Sequence, residues 1–210
     1  HLRRAVWNNL VALEARLDAL QPRPATVAVD LDFDGKTEVL AHAGDLQVVL
    51  RDDGLGAVHE LDSYPLAHNF GDTLRRHHEH YHDRIGRAES THDGEGIASA
   101  HDIVRYKHPV APADIVPDAL PRALWLDALD GAPVADYRLE GTTLCCTRPG
   151  IGKRYAIAGA TVTVAWRLTG LAGRRFETCL NLAMPSCDGF LGRYVLADGR
   201  IPGGFGQPLD

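Results

Sequence analysis

Asp30, Asp32 and Asp34 stand at alternate positions just before Gly35, and Glu38 follows three residues later. Carboxylates spaced this way on a tight turn converge on one point, and glycine lets the backbone bend where a side chain would clash. Hard oxygen ligands are gathered around Ca²⁺ in this manner. The spacing has the first half of an EF-hand loop but lacks the distant bidentate Glu and the flanking helices, so a β-hairpin calcium loop is the closer comparison. The alternative is a solvated Asp-Gly hairpin turn with charged flanks, which needs no metal. Crowded carboxylates without a cation repel one another. Ca²⁺ held by Asp30, Asp32, Asp34 and Glu38 is therefore the expectation.

A second concentration of chemistry runs from Glu60 to His82, ELDSYPLAHNFGDTLRRHHEHYH, with five histidines and two arginines. On a strand, His78, His80 and His82 would share one face as a zinc site might; on a helix, His78 and His82 would be neighbours. No Cys or carboxylate cluster supplies an obvious fourth ligand, so a structural or substrate-contacting role is preferred to zinc. Arg75, Arg76, Glu79, His80 and His101 are the candidate substrate-binding residues. Acid–base proton transfer, with Glu79, His80 and His101 as acid and bases, is the catalytic alternative. The competing expectation is a salt-bridged loop of Asp72, Arg75, Arg76 and Glu79 that holds one domain against another.

The elements that position these groups are mostly short strands. The run Ala57–Leu61, entered through Gly54 and Gly56, alternates apolar and polar residues as a strand does. Similar runs occur at 27–31, 39–42, 46–51, 97–100, 103–106, 142–146, 154–158, 161–168 and 178–183. One helix precedes them: Leu2, Val6, Leu10, Leu13, Leu17 and Leu20 fall on one face at helical spacing, and Pro22 and Pro24 end it. The pattern predicts an all-β, antiparallel two-layer β-sandwich, residues 22–210, led by an amphipathic helix in a linking segment, residues 1–21. The helix's apolar face requires a partner: a preceding domain, the sandwich, or a second copy of the chain in a homo-oligomer. Trp166 alternates with apolar neighbours and reads as core, whereas Trp125 falls in a loop-rich stretch beside Arg122 and Asp127.

The 210 residues suffice for one large sandwich with a proper core. A net charge of −6 offers no concentrated basic surface for nucleic acid. No apolar run approaches the roughly 20 residues that span a bilayer, so no membrane partner is expected. Cys145 and Cys146 are adjacent in a strand and point to opposite faces; with Cys179 and Cys187 they read as free thiols of a cytoplasmic protein.

The order of glycines, a strand ending Glu60-Leu61-Asp62, then Asn69-Phe70-Gly71-Asp72-Thr73-Leu74-Arg75-Arg76, then Glu79-x-Tyr81-His82 resembles the C-terminal β-sandwich domain of glycoside hydrolase family 57 α-amylases and 4-α-glucanotransferases. Three further blocks agree: the Asp-rich hairpin Val29–Leu40, Gly96–Asp102, and Phe176–Leu182, while residues 1–14 look like the family's joining helix. Between Pro117 and Asp127 the chain departs from the family pattern, offering Asp118, Arg122 and Asp127 without the family's Tyr. The resemblance implies a supersandwich of the galactose mutarotase-like kind, whose last strands lie past Asp210. It also implies an accessory, non-catalytic domain of carbohydrate metabolism, partnered by an α-glucan or oligosaccharide and by the parent's preceding catalytic and helical domains. In the family, retaining catalysis uses a Glu nucleophile and an Asp acid/base on a preceding barrel. A free-standing mutarotase-like epimerase using His80 or His101 is the alternative.

Overall fold

The computed structural model describes residues 2–85, 110–141 and 143–184. The expected strands at 97–100 and 103–106, together with His101 and Cys187, lie outside the described residues. The chain divides into two compact units, one built from the residues up to Thr73 and from Ala123 onward, the other Leu74–Arg122.

In the first unit α1 (Leu2–Leu20) precedes twelve strands: β1 (Thr26–Val29), β2 (Glu38–Ala43), β3 (Leu46–Arg51), β4 (Val58–Ser63), β5 (His68–Asn69), β6 (Leu124–Leu129), β7 (Ala132–Pro133), β8 (Arg138–Leu139), β9 (Cys145–Arg148), β10 (Ile151–Ala158), β11 (Thr161–Leu168) and β12 (Phe176–Leu180). One sheet has the order β1-β2-β3-β4-β6-β12, with β5 on β4 and β7 on β6; the other has the order β11-β10-β9-β8. Every pairing is antiparallel. Ala41, Val48, Leu50, Val58 and Leu124 of the first sheet pack with Cys146, Ile151 and Tyr155 of the second in one apolar core. The expected antiparallel sandwich with one helix is therefore present.

β3 reads Leu-Gln-Val-Val-Leu-Arg and is buried on both faces for its first five residues. Val48 and Leu50 enter the sandwich core. Gln47 turns the opposite way, where it donates to Glu14 of α1 at 3.0 Å. This polar outer face decides how the helix docks. Val11 is buried, and Trp7, Glu14 and Asp18 are half-buried, whereas Val6, Leu10, Leu13, Leu17 and Leu20 lie exposed. The sandwich does not cover the apolar stripe, because its Gln47 and Tyr64 need acceptors, which Glu14 and Asp18 on the helix's acidic side supply.

Trp125 is not in a loop. It lies in β6, which pairs with β12 and, through Leu124, with β4. Its backbone takes a left-handed φ of +58°, and the β12 register shifts opposite it between Cys179 and Leu180. A bulge and a buried Asp127 break the alternation that would have announced a strand. The strand closes through Asp130-Gly131, both at positive φ (53° and 79°), the conformation a two-residue type I′ hairpin demands.

Gly71 lies where the chain leaves β5. A Cβ there would come within 2.4 Å of the His59 carbonyl oxygen and 3.0 Å of the Glu60 Cα, and backbone atoms cannot step aside. Gly71→Ala is expected to lower unfolding free energy by about 1–3 kcal/mol, the usual cost of overpacking, read as a lower urea midpoint at unchanged slope.

In the second unit, Leu74–Arg122, two short 3₁₀ turns are described, His80–Arg84 and Pro112–Asp114.

Candidate functional site

The β1–β2 hairpin brings three of the four expected acids together. One carboxylate oxygen from each of Asp30, Asp32 and Glu38 lies within 4.8 Å of the others. Backbone donors shape the turn around them. The Asp30 carboxylate accepts from the amides of Asp34 (3.1 Å) and Gly35 (3.0 Å), and the Glu38 carboxylate from Leu31 (2.7 Å). Asp32 faces Arg51 at 3.1 Å. Glu38 is buried at the strand start, where a carboxylate requires such partners. Asp34 is not in the cluster; its carboxylate turns back to accept from the Lys36 amide at 2.8 Å. The donor set is all oxygen and carries three negative charges against one arginine, which fits Ca²⁺ rather than a softer metal.

The histidine segment is built differently. Arg75 donates to the Asp118 carbonyl, while the Asp118 carboxylate accepts from Arg76 Nη2 (2.6 Å) and Arg122 Nε (2.9 Å). Arg76, then Arg122, hold the Asp118 carboxyl well below the usual carboxylate range. Asp72 instead pairs with Arg3 of α1, and Glu79 donates its backbone N–H to His82 Nδ1 at 2.9 Å. The single loop expected from Asp72, Arg75, Arg76 and Glu79 is thus not formed; Asp118 holds the two arginines. His78 and His82 meet ring to edge at 5.5 Å, and His78 faces Asp83 at 3.2 Å. His80 is exposed at the start of the 3₁₀ turn. Among the described residues the metal-like grouping is the carboxylate one, and the histidines are not part of it.

Two polar centres were not singled out by sequence reasoning. Between the sheets, Lys153 and Asp127 form an ion pair at 2.8 Å with both side chains fully buried. Tyr137 donates to Asp127 at 2.7 Å and Trp166 Nε1 at 3.3 Å, while the Trp125 carbonyl accepts from Lys153. The ammonium lies 5.5 to 5.7 Å from the centres of the Tyr137, Tyr155 and Trp166 rings, near enough for cation–π attraction. Burial lowers the Lys153 pKa against the pull of Asp127. The signal available was a lysine at an inward position, between Ile151 and Tyr155. Under α1, Gln47 Nε2 donates to both Glu14 and Asp62 at 3.0 Å, and Gln47 Oε1 accepts from Arg23 at 2.6 Å. Asp62 Oδ1 has no hydrogen-bond partner among the described residues. Burial pushes the Asp62 carboxyl up to about 7, with Glu60 and Glu14 adding to the rise.

An antiparallel β-sandwich with a docked helix and an Asp-rich first hairpin is the class of domain that these observations define. The profile of the family described as alpha-amylase/4-alpha-glucanotransferase, C-terminal, matches residues 30–148, and the chain belongs to that family. It is 33% identical over 143 residues to the 4-alpha-glucanotransferase of Thermococcus kodakarensis, covering 68% of this chain and 20% of that protein. Against the alpha-amylase of Pyrococcus abyssi the identity is 36% over 105 residues, 49% of this chain and 15% of the relative. The chain therefore spans about a fifth or less of the length of these relatives. The crystal structure of 4-alpha-glucanotransferase from Thermococcus litoralis shares the fold, with a TM-score of 0.64 at 19% identity over 88% of this chain and 32% of that one.

Proposed function

We propose that this chain is the accessory C-terminal domain of an enzyme acting on α-glucans, shaping the cleft or contacting the glucan, with the chemistry carried by parts of the enzyme outside this chain. Membership of a family defined by the C-terminal part of amylases and glucanotransferases carries the reading, together with the small share of those relatives that the chain spans. The structural use of its acids supports it: Asp118 ties Arg75, Arg76 and Arg122, and Asp127 ties Lys153. The exposed stripe Val6, Leu10, Leu13, Leu17, Leu20 repeats at intervals of four and three, the seam of a helix that packs on another helix. It is the face offered to the parent's preceding helical part.

The purified chain is expected to show no hydrolysis of starch, no glucanotransfer between maltooligosaccharides and no acceleration of glucose mutarotation. Turnover that falls on His80→Ala or His101→Ala would overturn the reading in favour of an epimerase. Sedimentation of the isolated chain as a stable dimer that Leu13→Glu dissociates would assign the helix stripe to a second copy instead.

The hairpin acids Asp30, Asp32 and Glu38 are the proposed Ca²⁺ ligands, with Asp34 shaping the turn. A ligand bound to the folded state alone stabilises it by about 2.7 kcal/mol at ~100 times its Kd. For a chain of this size that raises Tm by roughly 5–10 °C. Melts in millimolar Ca²⁺ and in chelator are expected to differ by this margin, and Asp32→Ala to abolish the difference. Superimposable melts would leave an ordinary charged turn.

A further inference from the structure

The outward face of the β8–β11 sheet collects arginines whose side chains have no ion-pair partner among the described residues. Cys146, Ile151 and Tyr155 point into the core, so Cys145, Thr147, Gly152 and Arg154 point outward. Register then sets two rows across the sheet. Arg138 lies opposite Thr147, Thr147 opposite Gly152, and Gly152 opposite Arg167. In the next row Cys145 lies opposite Arg154, and Arg154 opposite Ala165. At about 4.8 Å per strand, the backbones of Arg138 and Arg167 are ~14 Å apart, a span their side chains can close over a shared ligand. Against Arg154 and Arg167 lies a depression of about 250 Å³ whose lining includes Glu140, Thr147, Gly152 and Ala165, with Arg138 on the neighbouring strand beyond that lining. Arg167 stretches over Gly152, whose added Cβ would meet its Nε at 3.6 Å.

Charge decides what fits. This is a chain of net charge −6, and several arginines elsewhere take acids: Arg51 with Asp32, Arg76 and Arg122 with Asp118, Arg174 with Asp130, Arg175 with Glu177. Arg4 and Arg16 on α1 are exposed without an acid among the described residues, but they are not gathered with other arginines around a depression. Arg138, Arg154 and Arg167 are exposed, and their side chains make no ion pair or hydrogen bond among the described residues. Three guanidiniums against the Glu140 carboxylate leave two positive charges. A phosphate monoester carries close to two negative ones at neutral pH, and guanidinium forks match its oxygens in pairs.

We propose that this face binds a phosphate monoester or free phosphate dianion, held by Arg138, Arg154 and Arg167 over the Gly152–Ala165 floor. Thr147 and Glu140 line the same depression and offer hydrogen-bonding groups to the hydroxyls of an attached sugar. The site is on a different sheet from the calcium hairpin and does not depend on the glucan reading.

The test is a titration of the whole chain, followed by NMR or calorimetry, with inorganic phosphate, glucose 1-phosphate, glucose 6-phosphate and neutral maltotriose at low and high salt. Saturable binding of the phosphorylated compounds, weakening with salt, is expected, and Arg154→Gln with Arg167→Gln should weaken it about tenfold or more at unchanged Tm. Gly152→Val, which fills the floor at a backbone angle open to any residue, should weaken glucose phosphates more than inorganic phosphate if the sugar is read. Tighter binding of a glucose phosphate assigns the site to a sugar phosphate, and equal affinities assign it to free phosphate. No saturable binding at ~10 mM, binding that survives the double substitution, or maltotriose competing for the same residues would overturn the assignment.

Discussion

Asp127→Ala is expected to be the most damaging single substitution in the sandwich, exceeding Lys153→Met at the other end of the same ion pair. Removing one partner of a buried pair typically costs about 3–5 kcal/mol because the survivor keeps its charge without compensation. The two ends are unequal here. If Lys153 is lost, Asp127 still accepts from Tyr137 and Trp166, so its cost falls toward the lower end of that range. If Asp127 is lost, Lys153 is left with the Trp125 carbonyl and three ring faces, and the Tyr137 hydroxyl and Trp166 N–H lose their acceptor. Each buried donor so orphaned adds about 1–3 kcal/mol. Against a typical total of about 5–15 kcal/mol, Asp127→Ala should bring the chain close to unfolding. Urea titration of both variants checks the order, and equal losses would show that the aromatic cage rather than Asp127 carries the ammonium.

Asp62 sets the second large effect, which appears as a pH dependence. Its carboxyl is raised from 3.8 to about 7 on folding, chiefly by burial. A carboxyl raised on folding holds a proton that the unfolded chain has already released, so stability falls as pH climbs from about 4 to about 7 and is flat on either side. At about 1.4 kcal/mol per unit the loss across that window is at most about 4 kcal/mol. Asp62→Asn, neutral at every pH and nearly the same shape, should raise stability modestly at pH 5 and by clearly more at pH 8. Melting curves at the two pH values measure this directly. A gain equal at both would mean that Asp62 is charged throughout and that the Gln47 hydrogen bond, not a proton, settles its burial. Glu14 and Glu60, also raised chiefly by burial, add in the same direction, so the wild-type profile should slope more steeply than Asp62 alone dictates.

The local periodicities were legible in the chain. Residues 46–51 and 161–168 form strands with the bounds that alternation implied, and the helix ends where Pro22 and Pro24 follow it. The family was legible too, because Asn69-Phe70-Gly71 and its neighbours depend on close backbone contacts that few other residues allow; Gly71 against His59 is one. β6 was not legible, since a bulge at Trp125 and a buried aspartate erase the period that marks a strand. Charge placement was least legible. Asp127 and Lys153 look like surface residues by type, and Arg75 and Arg76 gave no sign of Asp118, more than forty residues away. The sequence by itself determined the more regular strands, the helix, the acidic hairpin and the kinship, because these rest on neighbours within a few positions. Only the tertiary structure decided which charges are buried, which are paired and which remain open on the outer sheet, because desolvation and ion pairing depend on residues that pairing of distant strands alone brings together.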